Sequence, residues 1–168
     1  QALRRASLIA SVTTGAAPDT AFLDAATRVA RDDSLDPAFR ALVLQPVSQD
    51  DLAASLHAQG HTPDPQAIYD ASETMAQSLA QHLADSLPRL YAATTVDGPF
   101  VPDAKGAGKR ALNGRILSML TRMDGGAQAR AQFDTANNMT LQSAALNALL
   151  AQDIGADQSA AFFTQWQS

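Results

Sequence analysis

The sequence predicts an all-α fold of about eight or nine short helices, stacked in antiparallel pairs as in an α-solenoid. Ala makes up about a fifth of the 168 residues, and Leu outnumbers Ile and Val together, so strand-forming β-branched residues are scarce. Helix caps recur along the whole chain, and no run of more than a few residues alternates as a strand does. No fixed repeat period is visible. We expect residues 1–168 to form a single helical segment with a real core.

The first four predicted helices begin or end at residues that commonly cap helices. Gly15 ends the first helix, and Asp36 with Pro37 supplies an N-cap and a proline at the start of the third. Ser48 opens the fourth helix, and Gly60 follows it as a C-terminal glycine. The first two helices are predicted over 2–13 and 19–31. The apolar residues expected to face the core are Leu8, Ile9, Val12, Phe22, Ala26, Val29, Ala30, Phe39, Leu42 and Val43.

The longest apolar periodicity begins at Asp64 and Pro65, a second cap-and-proline pair, and continues to Leu90. Pro88 should kink or end this helix, because proline lacks the N–H donor and crowds the preceding turn. Loop-forming glycines and prolines predict a loop over 94–107, including Pro99.

Four more helices are predicted after this loop. The first covers 109–123 and ends at Gly125 and Gly126. The others cover 127–136, 140–152 and a stretch from 157 to the end of the chain. In the 109–123 helix the residues expected to face the core are Leu112, Ile116, Met119, Leu120 and Met123.

Composition and charge exclude several functional classes. The formal charge of −5 and a pI near 4.9 argue against a general nucleic-acid-binding protein, which needs clustered positive charge. With no Cys, disulfides, thiolate zinc sites and cysteine nucleophiles are excluded. The apolar runs are only a few residues long, so no membrane-spanning helix is predicted.

His57 and His61 have the spacing of a helical H-x-x-x-H zinc pair. The metallopeptidase version of this motif needs Glu directly after the first His as a general base, and here that residue is Ala58. Gly60 and Pro63 also indicate that the helix is ending. We therefore interpret the pair as exposed histidines at a helix C-terminus, with zinc binding as the open alternative.

Gly106, Gly108 and Lys109 only faintly resemble a phosphate-binding loop, since no strand precedes them and Arg110 stands where Ser or Thr is needed. The surrounding basic residues have no interleaved aromatic residues for base stacking, so they predict a charged face that meets solvent or another domain. Arg115 and Arg122 are seven residues apart and should share one helical face. These basic residues are Lys105, Lys109, Arg110, Arg115 and Arg122.

The remaining polar clusters have local structural interpretations. The acidic pairs fall at helix ends, where carboxylates cap helices or complement their dipoles. Among 137–140, an Asn in the left-handed conformation should end one helix and Thr140 should cap the next. The acidic pairs are Asp32 with Asp33 and Asp50 with Asp51, and the polar cluster is Asn137, Asn138, Met139 and Thr140.

Both ends of the chain favour an excised segment of a longer protein. Residue 1 is Gln1 and not Met, so we expect processing or cutting at this point. The last turn carries Phe162, Phe163 and Trp166, large apolar residues that need a partner surface.

An ordered set of stretches resembles the alanyl aminopeptidase (aminopeptidase N) family of gluzincin zinc peptidases. Residues 132–140, followed by Ala144, Ala145 and Leu146, resemble its QF-x-x-A-x-NMTD-x-x-AAL sequence. Four further stretches resemble other family segments in the same order. They are 39–52 (A-L-x-L-P-S-E), 64–91 (a long helix opening D-P-x-A-I), 109–113 (G-x-R-x-L-x-N) and 163–166 (before D-K-W-F).

This resemblance implies that the chain is the first part of a C-terminal helical domain, with the catalytic H-E-x-x-H domain upstream as its partner. The longer enzyme would bind one zinc ion, remove N-terminal residues from peptides and lie in the cytoplasm. Its helical domain would close over the active-site chamber. The chain matches no catalytic, zinc-binding or cofactor-binding residue of the family, so none is assigned within 1–168.

Two departures qualify the resemblance. Leu141 replaces the Asp that follows Asn-Met-Thr in the family, and Pro88 interrupts a helix expected to be continuous. The alternative interpretation is a free-standing helical protein-interaction module. An initiator Met just before Gln1 and a stop codon after Ser168 would favour that alternative.

Overall fold

The computed structural model describes residues 2–96, 98 and 100–166; Gln1 and Pro99, used above, lie outside these residues. The described part forms ten α-helices and one short 3-10 turn, and contains no β-strand, which confirms the all-α prediction. The helices are α1 (Ala2–Thr14), α2 (Thr20–Arg31), α3 (Pro37–Leu44), α4 (Gln49–Ala58), α5 (Pro65–Leu83), α6 (Leu87–Thr94), α7 (Ala104–Asp124), α8 (Ala127–Thr135), α9 (Met139–Leu150) and α10 (Ala156–Trp166).

The N-caps predicted for α3, α4 and α5 are formed by the expected side chains. Asp36 accepts hydrogen bonds from the backbone N–H groups of Ala38 and Phe39 at 2.8 and 3.2 Å, with Pro37 at the start of α3. Asp64 and Pro65 repeat this arrangement at α5. Such a cap contributes about 1 kcal/mol to helix stability, because it satisfies N–H groups that have no partner within the helix.

Pro88 divides the predicted long helix into two. The described residues therefore form ten α-helices where eight or nine were predicted. Helix α5 ends at Leu83, a 3-10 turn covers Ala84–Ser86, and α6 begins at Leu87 with Pro88 in its first turn. The missing N–H of proline costs nothing there, because the first N–H groups of a helix have no partner within it.

The predicted loop over 94–107 is too long, because α7 begins at Ala104 and not at 109. Asp103 caps this helix by accepting a hydrogen bond from the Gly106 N–H at 2.7 Å. Gly108 lies inside α7 against the start of α3, where an added Cβ would come within 3.1 Å of the Ala38 backbone nitrogen. The glycine is therefore explained by close helix packing and not by loop flexibility.

Helix α7 is the centre of the packing. It contacts α3, α5 and α6 on the side of the larger core and α8 and α9 on the side of the smaller one. The larger core contains Leu112 and Ile116 of α7, both fully buried, and the smaller contains Leu117. Neighbouring residues of one helix thus point into two cores, as expected where a helix lies between stacked pairs.

The inward-facing residues predicted for α3 are partly wrong. Phe39 and Leu42 are 49% and 55% exposed, whereas Arg40 is only 4% exposed. Arg40 turns inward because its guanidinium binds the Ala30 carbonyl and pairs with Asp33 at 3.1 Å. Met123, also predicted to face the core, is 43% exposed in the last turn of α7, where Leu120 and Thr121 are the buried residues.

Candidate functional site: the groove between α3, α7 and α9

The histidine pair lies at the end of α4 and just beyond it. His57 lies exposed in the last turn of α4. His61 follows Gly60, whose left-handed conformation (φ 82°) terminates the helix. No group of three or more His, Cys, Asp or Glu side chains suited to a metal ion occurs among residues 2–96, 98 and 100–166. The described residues therefore do not fit the zinc ion that the family resemblance implies for the longer enzyme.

The polar cluster at 137–140 caps a helix, but not through the predicted residue. Asn138, not Thr140, is the N-cap of α9, and it accepts a hydrogen bond from the Leu141 N–H at 3.0 Å. Asn137 donates to the Gly98 carbonyl at 3.2 Å and does not adopt the left-handed conformation. Helix α9 starts one residue earlier than predicted, so the cap position also shifts towards the N-terminus.

A small polar cavity of about 270 Å³ lies beside Tyr91, between α6, α7 and α8. The Tyr91 hydroxyl donates to Gln132 Oε1 at 2.7 Å, and Gln132 Nε2 donates to the Leu141 carbonyl at 2.9 Å. Asn113 Nδ2 donates to Thr94 Oγ1 at 3.2 Å. Burial raises the pKa of Tyr91. These polar groups already satisfy one another, so the network joins helices and does not present free groups to a ligand.

The basic residues around α7 separate into different environments. Arg110 lies over the Phe100 ring at 4.6 Å and donates to the Val101 carbonyl at 3.2 Å, so it anchors the segment before α7. Arg122 forms a bidentate pair with Glu73 of α5 at 2.8 and 3.0 Å. Arg115, like Arg110, lines an open groove. Arg115 and Arg122 therefore meet different surroundings, and no phosphate loop forms at Gly106 and Gly108, which are helical.

This groove, hereafter the α7 groove, has a volume of about 1060 Å³. Its walls are mainly Ala and Gly from α3, α7 and α9, which leave space because they carry little or no side chain. At Gly114 an added Cβ would meet only Ala144 Cβ, at the ordinary contact distance of 3.6 Å. The lining includes Ala38, Ala41, Leu42, Phe100, Gly108, Ala111, Gly114, Arg115, Ser118, Ala144 and Asn147.

A second arginine is close enough to Arg115 for their charges to repel, and it was not predicted from the sequence. Arg4 of α1 is only 4% exposed and donates from Nη1 to the carbonyls of Leu44 and Gln45 at 3.1 and 2.9 Å. Its Nε has no hydrogen-bond partner among the described residues. Burial and the nearby charge of Arg115 lower the pKa of Arg4 to about 10. Burial also lowers the pKa of Arg115.

No local pattern marks Arg4 as buried, because its position depends on how α1 meets the end of α3. Its guanidinium lies over the Phe22 ring at 5.5 Å and binds the last carbonyls of α3, where a positive charge complements the helix dipole. Within residues 2–96, 98 and 100–166, neither Arg4 nor Arg115 has a carboxylate at ion-pair distance. The α7 groove is therefore lined by the positive charges of Arg110 and Arg115, and Arg115 also repels the buried Arg4, in an otherwise acidic protein.

The aromatic residues of α10 are only partly uncovered. Phe162 is half-buried, with its ring 6.5 Å from Phe133 and 6.3 Å from Trp166. The Trp166 indole donates to Gln142 Oε1 at 2.7 Å. Phe163 and Trp166 are 68% and 41% exposed, as predicted for large uncovered side chains, whereas Phe162 is partly covered.

Comparison with known families decides the assignment. Residues 1–168 match the family described as DUF3458_C, a domain of unknown function with ARM repeats. The chain belongs to this family. ARM repeats are stacked helices, so membership in DUF3458_C agrees with the helical solenoid predicted from the sequence. In the described part of this DUF3458_C chain, no helix is both long enough and apolar enough to cross a bilayer.

The DUF3458_C chain is also similar to aminopeptidases. It is 35% identical over 122 residues to aminopeptidase N of Caulobacter vibrioides, which is 71% of this chain and 14% of that protein. The structure of Legionella pneumophila aminopeptidase A in complex with aspartic acid matches it with a TM-score of 0.78. This match has 20% identity and covers 99% of this chain and 21% of that chain, and it shows the fold alone. The aminopeptidase resemblance read from the motifs is confirmed.

Proposed function

We propose that this chain is a non-catalytic helical segment of a longer zinc aminopeptidase that releases N-terminal amino acids from peptides. The observation that carries the proposal is the 35% identity to aminopeptidase N, confined to 14% of that protein. The absence of a metal-binding cluster among the described residues also supports a non-catalytic role. In this proposal the chain helps to enclose the active-site chamber, and the catalytic domain of the same polypeptide is its partner.

The zinc ion of the longer enzyme would activate water for attack on the peptide bond. Its ligands would come from outside this chain, because His57 and His61 are exposed and no third ligand group accompanies them within residues 2–96, 98 and 100–166. We further propose that the enzyme acts on peptides in the cytoplasm, as the family resemblance implies.

The test compares the full-length protein encoded by the gene with the isolated 168-residue chain. We expect the full-length protein to bind one zinc ion and to hydrolyse an aminoacyl reporter, and the isolated chain to do neither. The double variant His57→Ala, His61→Ala should leave the zinc content of the full-length protein unchanged. Stoichiometric zinc together with turnover in the isolated chain would refute the proposal.

Enclosure of the chamber has its own test. The full-length enzyme should remove an N-terminal residue from a short peptide and spare the same residue at the N-terminus of a folded protein. Equal rates on the peptide and on the folded protein would contradict enclosure, even if the aminopeptidase activity itself were present.

A further inference from the structure

We infer that the α7 groove receives a carboxylate-bearing segment of the same polypeptide from outside residues 1–168, with an Asp or Glu side chain paired to Arg115. The inference rests on the proposed function, which makes this chain part of a longer protein. It assigns a place and a chemistry to the contact between the helical segment and the rest of the enzyme.

The charges supply the first argument. The ion pairs in the described part of the chain place three arginines against acids: Arg40 and Arg89 against Asp33, and Arg122 against Glu73. Arg115, half-buried in the groove wall, has no such partner there. Arginines removed from water are normally paired, because an unpaired buried charge carries a large desolvation cost. The protein has a net charge of −5 and still leaves this site positive, so the groove is complementary to an anion.

Arg4 favours a permanent partner over a transient one. It is 4% exposed, its Nε is unpaired among the described residues, and the charge of Arg115 adds repulsion. The repulsion between the two arginines is present in every state in which Arg115 has no counter-charge. A carboxylate of the same polypeptide offsets it continuously, whereas a peptide substrate would offset it only during turnover.

The shape of the groove fits a polypeptide segment and not a small ion. Its volume of about 1060 Å³ is at the upper limit for pockets that hold drug-sized ligands. The Ala and Gly walls permit a close approach of another backbone. Ser118 and Asn147 line the same space and offer hydrogen-bonding groups to backbone amides, while Phe100 adds an apolar surface.

The decisive experiment uses zero-length cross-linking of the full-length protein carrying Arg115→Lys. A carbodiimide joins an amine to a carboxylate only when the two groups are in contact, and peptide mapping by mass spectrometry identifies the joined residues. We expect a cross-link from position 115 to an Asp or Glu outside residues 1–168, formed without added peptide. A cross-link only to an acid within 1–168, or none while Lys105 or Lys109 reacts, would overturn the inference.

A second variant tests the same contact without cross-linking. Arg115→Met in the full-length protein should lower the melting temperature by roughly 2 °C, because the docked carboxylate loses its partner. The matched control is Arg28→Met, which removes one exposed positive charge from α2, distant in sequence from the groove, and should lower it by less than about 1 °C. Equal melting temperatures of the two variants would overturn the inference.

Aminopeptidase kinetics separate the remaining possibilities. If Arg115 instead holds the C-terminal carboxylate of a substrate, Arg115→Met will raise KM for free-acid peptides but not for their amides, and cross-linking will need added peptide. That result overturns the inference and leaves the proposed function intact. If the full-length protein is inactive on every peptide but the cross-link forms, the proposed function fails and the docking contact remains.

Discussion

Arg115 and Arg122 lie seven residues apart on α7, and their surroundings are opposite. Arg122 is paired with Glu73 of α5 through two hydrogen bonds of 2.8 and 3.0 Å. Arg115 faces a wide groove with no carboxylate within reach in the described part of the chain. The comparison teaches that helical spacing determines which side of a helix a charge occupies, whereas the neighbouring helix determines whether that charge is neutralised.

The largest loss of stability is expected from a larger side chain at Gly108, where α7 packs against the start of α3. In Gly108→Leu, the new side chain must displace the start of α3, because even a Cβ would lie 3.1 Å from the Ala38 backbone nitrogen. We expect a loss of about 3 kcal/mol in the free energy of unfolding, measured by urea denaturation. An unfolding free energy within about 0.5 kcal/mol of wild type would show that α3 moves freely.

Glu73→Gln removes the ion pair between Arg122 of α7 and Glu73 of α5. Arg122, whose side chain is 8% exposed, then loses its counter-charge, while the 36% exposure of Glu73 moderates the cost. We expect a destabilisation of about 2 kcal/mol by urea unfolding. The control Arg122→Met should cost no more than Glu73→Gln, and a double-mutant cycle isolates the pair energy. Additive effects of the two substitutions would show that the pair is not coupled.

A substitution at Gly114, which lines the α7 groove, should increase the stability of the chain. Gly114→Ala adds a methyl group where the nearest atom would be Ala144 Cβ at 3.6 Å, so there is space for it. Since Ala favours a helix more than Gly does, we expect the isolated chain to gain about 0.8 kcal/mol in urea unfolding. A loss of stability would mean that the groove is narrower in solution than its geometry indicates.

The smallest change in stability is expected for the exposed ion pair of Arg89 and Asp33, in which Arg89 Nη1 lies 2.8 Å from Asp33 Oδ2. The hydrogen bond from Arg89 lowers the pKa of Asp33, so the pair stabilises the fold above the ordinary Asp range and loses this contribution as pH falls through the lowered pKa. Arg89→Met should cost about 0.5 kcal/mol at pH 7 and nothing at pH 2. An equal cost at both pH values would assign the effect to packing.

Local signals explain which parts of the fold could be predicted. Asp36, Asp64 and Ser48 cap helices as expected, because a cap involves only residues two or three positions apart. The break at Pro88 is equally local. The burial of Arg40 in place of Phe39 could not be predicted from local signals, since it depends on the Ala30 carbonyl of α2 and on Asp33.

The candidate site was predicted less completely than the fold. The basic residues of α7 were predicted to form a charged face that meets solvent or another domain, but Arg4 was not predicted. Its environment combines α1, the end of α3 and a charge on α7, three elements distant in sequence. The shift of the α9 cap from Thr140 to Asn138 has a simpler cause, because neighbouring polar residues compete for one cap position.

By itself the sequence determined the all-helical fold, most of the helix caps and the likeness to aminopeptidases, since these depend on short-range hydrogen bonding, apolar periodicity and ordered motifs. Only the tertiary structure decided which arginines are neutralised and where small residues leave an open groove. Charge compensation and packing depend on distances between helices that are far apart in the chain, and no local pattern encodes those distances.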